Sequence, residues 1–338
     1  MKFLLTALLA GFVAADAHDE RAKCISQSQP NPIWDVYPGN ITGTINSTIA
    51  ILPIPYSLAR SIIPAKYTIL KNAYQSLLPH LAHDMYPAVL QTVRDHEVRF
   101  GEYKIDDFSR ASIDFPFVDL LGDGHTSFRW SPTMLITAAN QMAQHGAGEY
   151  GTTVYPATFE PECNAYEFTE DGQSTYFRAR GEIDGKEGLV DTIFKSAERQ
   201  PADYAGFMSF LINATNQPSF ADGKQCDYYV RLFNTTLSTG ENAAVPVQGS
   251  VRAKMNLFDE EMKWDSVFGV RVDTAFIENH LYSCEGLRGF DGIGEQKMEI
   301  AWPHEPATTN STFLPAFSLS GMQVLANYLI SPIKRVVA

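Results

Sequence analysis

Segments of alternating and β-branched residues, each bounded by turn-formers, recur along most of this chain and leave little room for helices. Residues 42–54, Thr-Gly-Thr-Ile-Asn-Ser-Thr-Ile-Ala-Ile-Leu-Pro-Ile, set the pattern. Such a run suits a pleated, half-buried strand better than a helix. The same texture returns at 86–95, 111–118, 128–135, 166–168, 174–180, 227–233, 249–255 and 266–276. Helical readings are short: one from Ser57, closed by Pro64, and one over 136–144, ended by Gly146 and Gly148. Many strands and few helices predict a β-rich α+β domain. Its antiparallel sheet is expected to be closed or strongly curved, with a few flanking helices.

The N-terminus assigns that domain to an oxidising compartment. Lys2 precedes an apolar run from Phe3 to Ala14, and Ala15-Asp16-Ala17 is an A-x-A cleavage site, the parts of a secretory signal peptide. The run is too short for a permanent bilayer span. Residues 1–17 are therefore expected to be a leader, 18–39 an irregular arm, and 40–318 a single β-rich domain. Residues 319–338 are read as a C-terminal helix packing on it through Met322, Leu325, Leu329 and Ile330. In an exported chain Cys24, Cys163, Cys226 and Cys284 predict disulfides, with three pairings open. Sequons at Asn40, Asn46, Asn213, Asn234 and Asn310 fit the same route and predict a secreted or lumenal glycoprotein. The net charge of −13, with no basic cluster, argues against nucleic acid as a partner. No later stretch is long and apolar enough to span a membrane.

The order of elements resembles the acetoacetate decarboxylase family. The resemblance is carried by a strand leading into a short helix closed by proline, residues 50–64, and by Gly148-Glu149-Tyr150-Gly151 ahead of Thr152-Thr153-Val154-Tyr155-Pro156. The segment from Trp264 to Phe276, running on into Ile277-Glu278-Asn279-His280, is similar to the family's final strand. It covers roughly 40–286, with long insertions, and its motifs are of low specificity. It implies a barrel with an interior site for a small carbonyl compound. Family decarboxylases use a lysine of depressed pKa to form a Schiff base. Here the matching positions are Val154 and Tyr155, and no lysine occurs between Lys104 and Lys186. The arginine that the family carries on its first strand also has no counterpart between Tyr37 and Ser57. Schiff-base decarboxylation is therefore not expected.

The site residues read from the sequence are Glu149, His96 and Arg99. Glu149 lies where the family keeps an acidic residue, next to Tyr150 and near His145. A carboxylate with an imidazole and a phenol can move protons beside a carbonyl. A solvated loop after a glycine-rich helix is the plainer account. Arg94-Asp95-His96-Glu97-Val98-Arg99 offers Arg and His for a carboxylate or enolate. Strict alternation would place Arg94, His96 and Val98 on one face and Asp95, Glu97 and Arg99 on the other. Only one of His96 and Arg99 is then expected to face the site, and paired charges at an exposed strand end account for both. His80-Leu81-Ala82-His83 lacks the further ligands that a metal site needs. No G-x-S-x-G elbow, P-loop, H-E-x-x-H or dinucleotide fingerprint occurs. The expectation is a secreted enzyme of lyase or isomerase type that uses no cofactor or metal. Its partner is a small-molecule substrate, carbonyl-containing or polyketide-like. A non-catalytic small-ligand-binding protein on the same fold is the alternative.

Overall fold

The computed structural model describes residues 29–289, apart from 184 and 259. The expected leader, Cys24, the sequon at Asn310 and the expected C-terminal helix lie outside the described residues. Strand β1 (Ile41–Pro55) gives way to helix α1 (Tyr56–Ile62). Ile63, held extended ahead of Pro64, stops that helix. Next come β2 (Thr68–Ile69), α2 (Lys71–Leu77), β3 (Met85–Phe100), β4 (Tyr103–Ile105) and β5 (Phe108–Asp119). They are followed by β6 (Phe128–Trp130), β7 (Thr133–Thr137), α3 (Gln141–Glu149), β8 (Thr153–Glu160), β9 (Glu167–Phe168), β10 (Ser174–Ile183) and β11 (Lys186–Ser196). Helix α4 (Tyr204–Asn216), β12 (Ser219–Phe220), β13 (Cys226–Leu232), β14 (Val245–Lys254) and β15 (Met262–Tyr282) complete the described fold. Among the described residues no helix is long and apolar enough to cross a membrane.

Two sequence readings change. The strand expected over 128–135 is two strands, because Pro132 has no N–H to offer a ladder and the chain breaks there. The helix expected from 136 begins at Gln141, since Ile136 and Thr137 continue β7 alongside β8. Asn140 caps α3 by accepting from the Ala143 amide. Helix α4 went unread although its signal was present: Asp203 caps it, and Phe207, Phe210, Leu211 and Ala214 are buried at helical spacing.

The strands form one 15-stranded, mostly antiparallel sheet that closes on itself. Pairing runs from β5 through β7, β8, β10, β11, β14, β15, β1 and β3 and returns to β5, the larger ring. A smaller ring leaves β5 through β6, β12 and β13 and rejoins at β15, sharing β15, β1, β3 and β5 with the first. Closure removes the open edges that a curved sheet would otherwise expose. The larger ring is packed with apolar side chains, among them Phe159, Phe177, Val190, Phe194, Val247 and Val251. The Cys226–Cys284 disulfide ties the start of β13 to the turn after β15. Cys163 is disulfide-bonded too. Of the described sequons, Asn234 is exposed, Asn213 is buried within α4, and the Asn46 amide donates to Asp273 within the sheet. Burial of Asn213 leaves no room for a glycan there.

Candidate active site

Strand alternation sends neighbouring residues of the shared strands to opposite sides, and one side is a cavity. On β3, Gln91 and Asp95 line it while Leu90 joins the apolar core. On β5, Arg110 and Asp114 line it while Ala111 and Ile113 are core residues. Arg129 on β6, Asp227 and Tyr229 on β13, and Glu278 on β15 add polar groups, and Phe276 on β15 lines it beside them. The cavity measures about 210 Å³. Its apolar wall includes Ile41, Val98, Phe100, Phe108, Met134, Ile136 and, from α3, Met142, Ala143 and Ala147, while Lys104, His145 and Glu149 also line it. That size is below the ~300–1,000 Å³ of pockets for drug-sized ligands, so the site fits a small molecule.

The polar groups form a buried network. Arg110 grips Asp95 with two donors, Nε at 2.8 Å and Nη2 at 3.4 Å. Burial pushes the Asp95 carboxyl up, against the pull of Arg110. Asp114 accepts from Ser131 Oγ at 2.8 Å and from the Gln91 amide, and lies 3.7 Å from Arg129 Nε. Gln91 accepts in turn from Arg231, which fixes which end of its amide faces each charge. Arg129 and Arg231 both donate to the Thr215 carbonyl, at 2.6 and 3.0 Å. That carbonyl sits in the last turn of α4, where cations are favoured. Burial, with Arg129 and Arg110 nearby, pushes the Arg231 guanidinium down to about 9, so it remains charged at neutral pH.

Tyr229 is the most unusual member. Its ring lies 5.2 Å from the Arg110 guanidinium and 5.0 Å from that of Arg231, and stacks on Phe276 at 4.5 Å. The hydroxyl is buried and has no hydrogen-bond partner within the protein; the same is true of Arg129 Nε. Burial raises the phenols of Tyr229 and Tyr150 well above their usual value, with Asp95 adding to the first and Asp227 and Glu278 to the second. Both are neutral donors at physiological pH.

Of the residues chosen from the sequence, Glu149 lines the cavity, with its Oε1 3.1 Å from His145 Nε2 at the rim. His96 and Arg99 do not line it. His96 is buried elsewhere, with Nδ1 3.2 Å from Asp107 Oδ2. Arg99 pairs with Glu97 at 3.2 Å and covers the Trp34 ring at 5.2 Å. His96 follows cavity-lining Asp95 and points away by plain alternation; for Arg99 the cause is a β-bulge, in which Glu97 and Val98 together stand opposite Gly43 and Glu97 takes a φ of 49°. Gly43 is required there, because a Cβ would come within 2.6 Å of the Phe276 ring. The extra residue shifts the alternation, so Asp95, Val98 and Phe100 share the cavity while Arg99 points elsewhere.

Val154 and Tyr155 do not line the cavity; Tyr155 belongs to the apolar core. Lys104, the lysine in the lining, is half-exposed at the rim and bound to Glu97 at 2.7 Å. Asp95, Arg110, Arg129, Asp227 and Tyr229 were missed by sequence reasoning. They come from four strands, and their common signal is a charged or phenolic residue at an inward position of a β segment. Among the described residues no group of three or more His, Cys, Asp or Glu is arranged to hold a metal ion.

No family model matches the sequence, and no curated protein matches it. Among solved structures the chain is similar to the enduracididine biosynthesis enzyme MppR complexed with pyruvate. Identity there is 10% and the TM-score 0.35, covering 72% of this chain and 88% of that one. It is also similar to an acetoacetate decarboxylase-like enzyme from Sphingomonas wittichii RW1, at 6% identity and a TM-score of 0.37, covering 72% and 92%. MppR with HEPES buffer bound aligns at 10% identity and a TM-score of 0.37, covering 72% and 86%.

Proposed function

We propose that this chain is an exported enzyme that moves protons at the carbon beside a carbonyl in a small metabolite, using its own side chains. Isomerisation, cyclisation, dehydration and lysine-independent decarboxylation are the reactions within reach of such chemistry. The observation that most supports the reading is a largely apolar cavity with Glu149 beside His145 at its rim and, among its lining residues, Tyr229, whose buried hydroxyl has no hydrogen-bond partner within the protein. A buried polar atom left unsatisfied costs about 1–3 kcal/mol, which a ligand oxygen accepting from it recovers. Donors fixed in advance also stabilise the negative charge that grows on a carbonyl oxygen as the α-proton leaves. In this reading Glu149 takes that proton and His145, at the half-exposed rim, exchanges it with water. The carbonyl contact expected at His96 or Arg99 moves to Tyr229 and Arg129. A Schiff base is disfavoured because Lys104 is held in a rim ion pair.

The test is exchange of α-protons in D2O, followed by NMR, for small ketones and 1,3-dicarbonyl compounds with the purified full-length protein. Exchange above the buffer rate is expected for at least one of them. Glu149→Gln should slow it by about 10²–10⁴-fold with an unchanged circular dichroism spectrum. Unaltered exchange in that variant removes Glu149 as the base. A small molecule retained through purification, with no exchange in any compound, makes the protein a non-catalytic binder instead.

A further inference from the structure

We infer that the cavity selects carbonyl compounds that carry no negative charge, such as neutral ketones, esters and 1,3-dicarbonyls, over keto acids. This rests on the reading above that the site holds a carbonyl oxygen, and adds the charge of the molecule bearing it. The first ground is the balance of charge around the cavity. The carboxylates of Asp95, Asp114, Glu149, Asp227 and Glu278 line it, against the cations of Lys104, Arg110 and Arg129. The groups behind the lining leave the balance unchanged, since Arg231 adds one positive charge and Glu97, which holds Lys104, one negative. His145, beside Glu149, adds a positive charge only when protonated. A carboxylate ligand would add an anion to a poorly solvated wall already in negative excess.

The guanidiniums are also already engaged. Carboxylate recognition by arginine relies on two parallel N–H donors. Arg110 spends that fork on Asp95, and Arg231 donates to Thr215 and Gln91. Arg129 is tied to Thr215 through Nη1 and faces the Asp114 carboxylate with Nε at 3.7 Å. Each of these guanidiniums is therefore already held by a group of the protein, and Arg110 and Arg129 each face a carboxylate. The behaviour of neighbouring groups agrees: burial and Glu278 push Asp95 up despite Arg110, and burial with Asp227 and Glu278 does the same to Tyr150.

The second ground is the chemistry of the Tyr229 hydroxyl and Arg129 Nε, which have no hydrogen bond within the protein. Arg Nε can only donate, so the ligand must bring an acceptor, which an ammonium group cannot be. A neutral carbonyl oxygen satisfies both requirements, accepting at the floor while the rest of the molecule lies against Phe108, Met134 and Phe276.

The experiment compares the Kd of methyl acetoacetate with that of acetoacetate at neutral pH, by NMR titration of the full-length protein, with aminoacetone as a cationic probe. The ester is expected to bind at least about tenfold more tightly than either ion. Tyr229→Phe should weaken the ester several-fold without lowering Tm. Asp227→Asn and Glu278→Gln should narrow the gap by strengthening acetoacetate. The wild-type comparison does not depend on the variants folding. Equal or tighter binding of acetoacetate or aminoacetone, or no binding of the ester, overturns the inference. Ester binding without α-proton exchange would leave it standing and remove the catalytic reading. Exchange of acetoacetate but not of the ester would do the reverse.

Discussion

The two rings share four strands yet have opposite interiors. In the larger ring, Phe177, Phe194, Val247 and Val251 belong to the apolar core. In the smaller ring the same strands present Gln91, Asp95, Arg110, Asp114 and Glu278 around a cavity. Because side chains alternate along a strand, one backbone serves both purposes, and a residue's ring is decided by its parity. Burying several ion pairs is poor use of a ring if stability is the only requirement, since apolar replacements are often as stable. The difference therefore separates the half that supports the fold from the half that is available for chemistry.

The largest effect should come from breaking the floor of the smaller ring. Asp95→Asn removes the carboxylate that Arg110 grips with two donors, with an expected loss of about 3–5 kcal/mol in urea unfolding. The double change Asp95→Leu with Arg110→Met makes the floor resemble the larger ring. It should recover most of that stability while abolishing binding of a neutral carbonyl probe. If the double variant is as unstable as the single one, the pair is structural and the contrast between the rings fails.

How much of this contrast the sequence reveals depends on whether a feature is local. Strands β1, β3, β5, β10, β13 and β15 follow directly from runs of alternating residues, and the short helix ending at Pro64 from its proline. The closure of the sheet into rings is expected from strand number but not its double form, which depends on β15 being long enough to pair with β14, β1 and β13. The site is less legible. Glu149 was found because it stands in a polar cluster, whereas Asp95 and Tyr229 meet from strands more than a hundred positions apart. The bulge at Glu97 redirects Arg99, and no sequence periodicity announces a single inserted residue.

A smaller effect separates two neighbours on β7. Leu135 faces the packed interior, where its Cδ2 lies 3.0 Å from the position a Cβ would take on Gly181 and on Gly188. Met134 faces the cavity. Leu135→Ala should cost about 2–5 kcal/mol, because tightly packed surroundings cannot collapse into the void. Met134→Ala enlarges a space that is already open and should fall at or below the low end of that ~2–5 kcal/mol range. Thermal or urea unfolding of the two variants gives the comparison, and equal losses would mean that the smaller ring is packed as tightly as the larger.

The smallest effect tests a carboxyl that the shared strands turn away from the cavity. Asp273 on β15 accepts from the Asn46 amide at 2.8 Å, opposite Arg94 across β1. Burial raises its pKa to about 6, and the favourable effects of His96 and of the Asn46 hydrogen bond only partly oppose this. A carboxyl raised on folding binds its proton more tightly in the native state, so its stabilising contribution is full below the unfolded value and fades as pH rises through about 6. Converted directly, the shift sets a ceiling of about 3 kcal/mol, which exposure reduces. Asp273→Asn cannot ionise, so its stability relative to wild type should improve as pH rises from about 4 to about 6, then level off. Urea midpoints measured across that interval decide the matter, and a constant difference between the two proteins would show that Asp273 is already ionised without penalty.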